Sequence, residues 1–196
     1  MELEYRAINN LTASDEENKL IIEGVVNNVG EFSKVLAGTF REKINAGVFT
    51  RAIEKAKSEG DIFFLHQHDT KGLPLASVKS NTLELQETDG ALKMRATLPN
   101  TTFNRDIYEL VKSGVLNEFS FGFSNPTSKW NVGADGINER TITDLDLSEI
   151  SIVRIGAYND TTAFARAVEE FEATKNNNDI DIKIMENKLK ILKMKG

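Results

Sequence analysis

The chain reads as a strand-rich mixed β/α fold, and three observations predict it. Alternating apolar and polar residues flank Asp89-Gly90 in "NTLELQETDGALKMRATL", and a dipeptide of that type supplies the positive φ of a tight hairpin turn. Two other segments, "AGVFTRAIEKAKSEG" and "TTFNRDIYELVKSG", carry a helical spacing of apolar residues instead. The third observation is size: 196 residues suffice for one domain with a full core and a short appendage.

In chain order, "ELEYRAI" and "KLIIEGVV" are apolar, β-branched runs around the polar "NNLTASDEEN", which predicts strand, loop, strand. Val48, Phe49, Ala52, Ile53 and Ala56 then line one face of a helix that Gly60 stops. "DIFFLHQH" predicts a short strand running into His66 and His68. After the hairpin, Phe103, Ile107, Leu110 and Val111 define a second helical face, with a threonine cap before it and Gly114 after it. "NEFSFGF" alternates, so Phe119, Phe121 and Phe123 share one face while Glu118, Ser120 and Gly122 share the other. Ser120 is therefore expected on an open strand face, beside a residue without a side chain.

A polar loop around "VGADGINE" leads to a long β-rich run, "RTITDLDLSEISIVRI", that carries Glu149. Alternation there predicts Leu147, Glu149, Ser151 and Val153 on one face, with Asp144 and Asp146 on a solvated edge. "ATKNNNDIDIKIMENKLKILKMKG" is Asn-rich and then Lys-rich with a helical apolar period, which predicts a linker and an exposed terminal helix. The expected division is a domain over 1–168 and this tail over 169–196.

A formal charge of −6 argues against nucleic acid or an anionic membrane as main partner, because phosphate binding needs a concentrated basic surface. The absence of cysteine excludes disulfides, thiolate metal sites and a cysteine nucleophile, and it fits a reducing compartment. Neither a signal-peptide-like stretch nor an apolar run of about 18 residues occurs, so a cytosolic location is expected.

His66 and His68 in "FFLHQHDTKG" are the only histidines in the chain. On a strand an H-x-H pair faces one way, as metal sites require, but a metal usually needs a third protein ligand. Metal ligation with Asp69, proton transfer and an ordinary polar strand end all stand open on the pattern alone. Serine is a poor nucleophile until a base takes its proton, and the base works best when a third group fixes its tautomer. His68, Ser120 and Glu149, each at an end or open face of an apolar strand, meet that requirement. An ordinary strand serine and a solvated edge glutamate are the plain readings of the same residues.

The order and context of these residues resemble the prohead (capsid maturation) proteases of tailed bacteriophages, the type found with HK97-like capsids. That family has an apolar strand ending in His-Asp, matched by "FFLHQHD" with His68-Asp69. A Gly-x-Leu-x-x-x-Ser-x-Gly-Phe pattern follows, matched by "GVLNEFSFGF" from Gly114 to Phe123. A Leu-x-Glu-(Val/Ile)-Ser-(Leu/Ile)-Val strand comes last, matched by "LSEISIV" from Leu147 to Val153. The resemblance covers roughly residues 3 to 165, with Ala76 and Gly156 standing where members often have Gly and Pro.

The resemblance implies a mostly antiparallel β-barrel flanked by helices, similar in fold to the herpesvirus maturation protease. It implies Ser120 as nucleophile, His68 as general base and Glu149 as orienting group of a serine endopeptidase, with no cofactor or metal. His66 becomes a pocket neighbour, and Asp69 a cap of the turn into "TKGLP". The implied substrates are the scaffolding region of the major capsid protein and the protease itself, including removal of its tail. Self-association inside the assembling procapsid, in the host cytoplasm or in a bacterium that carries the prophage, is implied too. An inactive assembly protein that keeps the fold, and a divalent-metal hydrolase built on His66, His68 and Asp69, are the alternatives.

Overall fold

A computed structural model of the chain describes residues 3–8, 11–16, 19–36 and 38–154. The expected linker, terminal helix and 168/169 boundary lie outside the described residues. In chain order the elements are β1 (Glu4–Ile8), β2 (Leu11–Glu16), β3 (Lys19–Asn28), β4 (Phe40–Ile44), α1 (Val48–Glu59), β5 (Phe63–His66), β6 (Ala76–Ser77), β7 (Leu83–Thr88), β8 (Ala91–Leu98), α2 (Thr102–Lys112), β9 (Glu118–Val132) and β10 (Asn138–Val153).

The described strands form two sheets. One runs β1-β9-β10-β5-β6, with β4 also against β10, and the other runs β2-β3-β8-β7. Because β10 is 16 residues long, one of its edges holds two short parallel strands end to end, β4 along Asn138 to Ile142 and β5 along Glu149 to Ile152. Its other edge pairs antiparallel with β9. Pairing elsewhere in both sheets is antiparallel.

Both sheets are open, ending on β1 and β6 and on β2 and β7, so among the described residues they do not close into the expected barrel. They share a core instead. Ile22, Leu92 and Met94 of one sheet join Phe119, Phe121, Phe123 and Ile150 of the other, with Phe49 and Ile53 of α1 and Ile107 and Tyr108 of α2. Burying both inner faces against each other and under two helices satisfies the hydrophobic demand without closure.

The Asp89-Gly90 turn has φ values of 52° and 72°, the left-handed pair that a two-residue hairpin demands. α1 buries Val48, Phe49, Ala52 and Ile53. Its N-terminal amides are capped from β7, where the Glu87 carboxylate accepts from Gly47 N at 2.6 Å and Thr50 N at 2.9 Å. Thr101 caps α2 by accepting from Asn104 N at 3.1 Å.

Three expectations need correction. "LTASDE", read as loop, is β2, paired antiparallel with β3 from Leu11↔Gly24 to Glu16↔Lys19. The buried face of α2 is Asn104, Ile107, Tyr108 and Val111, while Phe103 and Leu110 turn outward, because Asn104 donates to the Pro99 carbonyl at 2.8 Å and draws that side of the helix inward. The alternation along β10 breaks at a register shift between Leu147 and Glu149. The extra residue, Ser148, leaves Leu147 opposite Phe123 in the core and Glu149 opposite Gly122 on the far face.

Glu4, Arg6, Glu42 and Arg140 form a buried ionic cluster that the sequence pattern did not reveal. Arg6 pairs with Glu42 through Nε and with Glu4 at 3.1 Å, while Arg140 reaches Glu4 at 2.8 Å and Glu42 at 3.3 Å. Burial opposes ionisation of Glu42, but Arg6 and then Arg140 outweigh it and hold its carboxyl below the ordinary value. Two cations balance two anions, so the cluster ties β1, β4 and β10 together without a net buried charge.

Candidate active site

β5 ends at His66, and the chain then enters a turn in which Gln67 and His68 both have positive φ, 54° and 58°. Left-handed backbone costs an L-residue roughly 1–2 kcal/mol, so the turn needs anchors. Gln67 N donates to the Ile152 carbonyl at 3.0 Å, Asp69 N to the His66 carbonyl at 3.1 Å, and His68 N to Ser151 Oγ at 3.1 Å.

The turn also separates the histidines, so the H-x-H pair does not share a strand face. His66 lies edge-on to Phe103, ring centroids 6.5 Å apart, and burial lowers its pKa against an opposing pull from Asp69. His68 turns the other way, with Tyr5 over its ring at 4.1 Å between centroids and Glu149 Oε1 at 2.8 Å from Nδ1. A carboxylate only accepts, so Nδ1 carries the proton, and in the neutral ring the lone pair lies on Nε2. That Nε2 is buried and has no hydrogen-bond partner among the described residues.

Glu149 is 2% exposed, with its second oxygen, Oε2, accepting from the Ser151 hydroxyl. Both carboxylate oxygens are thus held, which a buried charge requires. Space for the carboxylate comes from Gly122 across the ladder: a Cβ there would lie 2.5 Å from Glu149 Oε1 and 2.9 Å from Tyr5 Cε1.

Ser120 pairs with Ser151 on one side and Ala7 on the other, on the face opposite the phenylalanine core. The expectation of an open face is corrected here, since Ser120 is fully buried. Its Oγ, like His68 Nε2, has no hydrogen-bond partner among the described residues. Ser151 stands between the two groups: it faces Ser120 across the ladder and its hydroxyl accepts from the His68 main chain.

The other acidic residues are engaged elsewhere. Asp69 Oδ1 accepts from Lys71 N at 3.0 Å and Gly72 N at 2.9 Å, closing its turn. Asp146 binds Lys55 at 2.6 Å and Asn125 at 2.7 Å, and Asp144 lies 3.6 Å from Arg51. Arg154 follows β10 and is exposed. Among the described residues no group of three His, Asp or Glu converges on a point where a metal ion would sit. A cavity of about 1000 Å³ lined by Ile53, Lys57, Leu83, Met94 and Arg95 contains none of the residues of this site.

Sequence reasoning gave Ser151, Tyr5 and Gly122 no part in the site. The signal for Ser151 was its place two residues after Glu149, which puts both on one strand face.

The sequence model of the caudovirus prohead serine proteases matches residues 8–177, most of the chain. The chain belongs to that family. The prohead protease of Escherichia phage T5 is 31% identical over 80 residues, 41% of this chain and 36% of the relative's length. The chain therefore spans only about a third of that relative. Among solved structures, the bacteriophage T4 capsid assembly protease matches with a TM-score of 0.50 over 78% of this chain and 96% of its own, at 9% identity. That likeness is one of fold alone.

Proposed function

We propose that this chain is a serine endopeptidase that cleaves phage capsid and scaffold proteins, and itself, during procapsid maturation. The observation that carries the reading is the His68–Glu149 pair at 2.8 Å, which turns an unpartnered Nε2 toward acid–base work on the face that holds an unpartnered Ser120. Family membership supports the serine chemistry. The metal reading is disfavoured because Asp69 closes a turn while His66 and His68 diverge.

In the proposed mechanism Ser120 Oγ attacks the scissile carbonyl carbon and its proton passes to His68 Nε2. Glu149 keeps the imidazole in the Nδ1–H tautomer and stabilises the cation that forms. The imidazolium then protonates the leaving amine, and water, deprotonated by the same nitrogen, hydrolyses the acyl-enzyme. Tyr5, packed on the ring, limits its rotation. A likeness to the herpesvirus maturation protease belongs to the same proposal, supported by a serine on β9 and a histidine in the turn after β5, with β10 between those two strands. So do self-association, location in the assembling procapsid and loss of the 169–196 tail by self-cleavage. Among the described residues no helix is long and apolar enough to cross a membrane.

Co-assembly with a tailed-phage major capsid protein that carries its scaffolding region tests the substrate: the region is removed in assembled particles. A region left intact by the wild type would contradict the proposal. Glu149→Gln is expected to lower turnover by about 10²- to 10⁴-fold, since an amide permits the wrong tautomer. Steady-state cleavage rates check this, and the loss should be smaller than that from removing Ser120 or His68. Gly122→Ala places a methyl group against Glu149 Oε1 and the Tyr5 ring. Displacing the carboxylate by about 1 Å is expected to cost about 10²-fold in turnover, measured beside a denaturation curve that stays cooperative.

A further inference from the structure

We propose that Ser151 is a positioning residue of this site, one hydroxyl that holds both the His68 main chain and the Glu149 carboxylate. The inference rests on the triad reading above and adds to it the part that keeps the triad aligned.

A serine hydroxyl has one proton to donate and lone pairs to accept with, and Ser151 uses both capacities. Its Oγ accepts from His68 N at 3.1 Å and donates to Glu149 Oε2. The residue is fully buried, and its bond to Glu149 is closed to water. It also stands directly opposite Ser120 on β9, and in this way touches or adjoins each member of the triad.

Each bond answers a specific instability. His68 has a φ of 58°, a conformation that persists only when its surroundings fix it. Of the three hydrogen bonds that anchor the turn, the one to His68 itself comes from Ser151. Glu149 would otherwise be held at one oxygen, by an imidazole that must change charge during each turnover. With Oε2 tied to Ser151, the carboxylate plane stays fixed while Oε1 serves Nδ1. Removing the hydroxyl leaves a partly buried donor on His68 and a buried acceptor on Glu149 without these partners.

A fluorophosphonate probe reads this directly, without a peptide substrate. Ser120 Oγ forms a bond to phosphorus as fluoride leaves, and the serine proton passes to His68 Nε2. The labelling rate of Ser151→Ala is expected to fall about 10- to 100-fold, the rate equivalent of one hydrogen bond to a charged group. Ser151→Cys, which keeps the side-chain shape with a somewhat larger atom that donates weakly, should lose as much while remaining folded. Ser151→Thr, which keeps the hydroxyl, should recover most of the rate. The low-field proton resonance of His68 Nδ1–H should be seen in the wild type and Ser151→Thr and be lost in Ser151→Ala. A folded Ser151→Cys or Ser151→Ala that labels at the wild-type rate overturns the inference alone. A wild type that does not label at Ser120 overturns it together with the triad.

Discussion

Ser120→Ala is expected to stop cleavage while leaving the protein as stable as the wild type or slightly more so. Loss of the nucleophile costs about 10⁴- to 10⁶-fold in kcat, because the residual rate comes only from binding and the remaining polar groups. The stability half of the expectation comes from burial. The Ser120 hydroxyl is fully buried and unpartnered among the described residues, and such a group carries a desolvation penalty of about 1–3 kcal/mol. Replacing it with a hydrogen removes that penalty at the cost of a small void. Comparison of urea midpoints with single-turnover cleavage rates checks both halves. A destabilised variant would mean that the hydroxyl is bonded in solution.

His68→Ala is expected to lose as much activity as Ser120→Ala, and the double variant should be no worse than either, since residues acting as a unit lose non-additively. Its stability should differ, however. Without the imidazole, Glu149 keeps Ser151 as its bonded partner while remaining buried, which is expected to cost about 1–3 kcal/mol. His66→Ala should stay within a few-fold of the wild type, because that ring meets Phe103 at its edge and no residue of the triad. Rates and urea midpoints for the four variants separate these cases. An essential His66 would move the base to the other histidine of "HQHD".

Features written in local pattern are legible in the sequence. The Asp89-Gly90 hairpin, α1 with its stop at Gly60, and the Phe119, Phe121 and Phe123 stripe follow from turn chemistry and periodicity over a few residues. What escaped depends on partners distant in sequence. β2 is polar and looks like loop until β3 supplies its hydrogen bonds. The bulge at Ser148 is invisible to strict alternation, which had put Leu147 on the face of Glu149. Positive φ at Gln67 and His68 turned an expected strand pair into a divergent one. Glu4, Arg6, Glu42 and Arg140 stand on three strands that are distant in sequence, and only the topology brings them together in the interior.

For the site itself, the residue types at 68, 120 and 149 were suggestive, but pattern alone left a metal or an ordinary strand end open. The resemblance to the prohead proteases supplied the weighting, and the family match covers residues 8–177. Glu149 owes its room to Gly122, the glycine of "SFGF", where any side chain would meet the carboxylate.

Incubation with a serine-reactive phosphonate, with and without a metal chelator, followed by peptide mass mapping, tests the central claim most directly. The account predicts one covalent adduct, on Ser120, formed at the same rate in the chelator and absent from His68→Ala. An adduct on another residue, or cleavage activity that the chelator abolishes and the phosphonate leaves untouched, would contradict it.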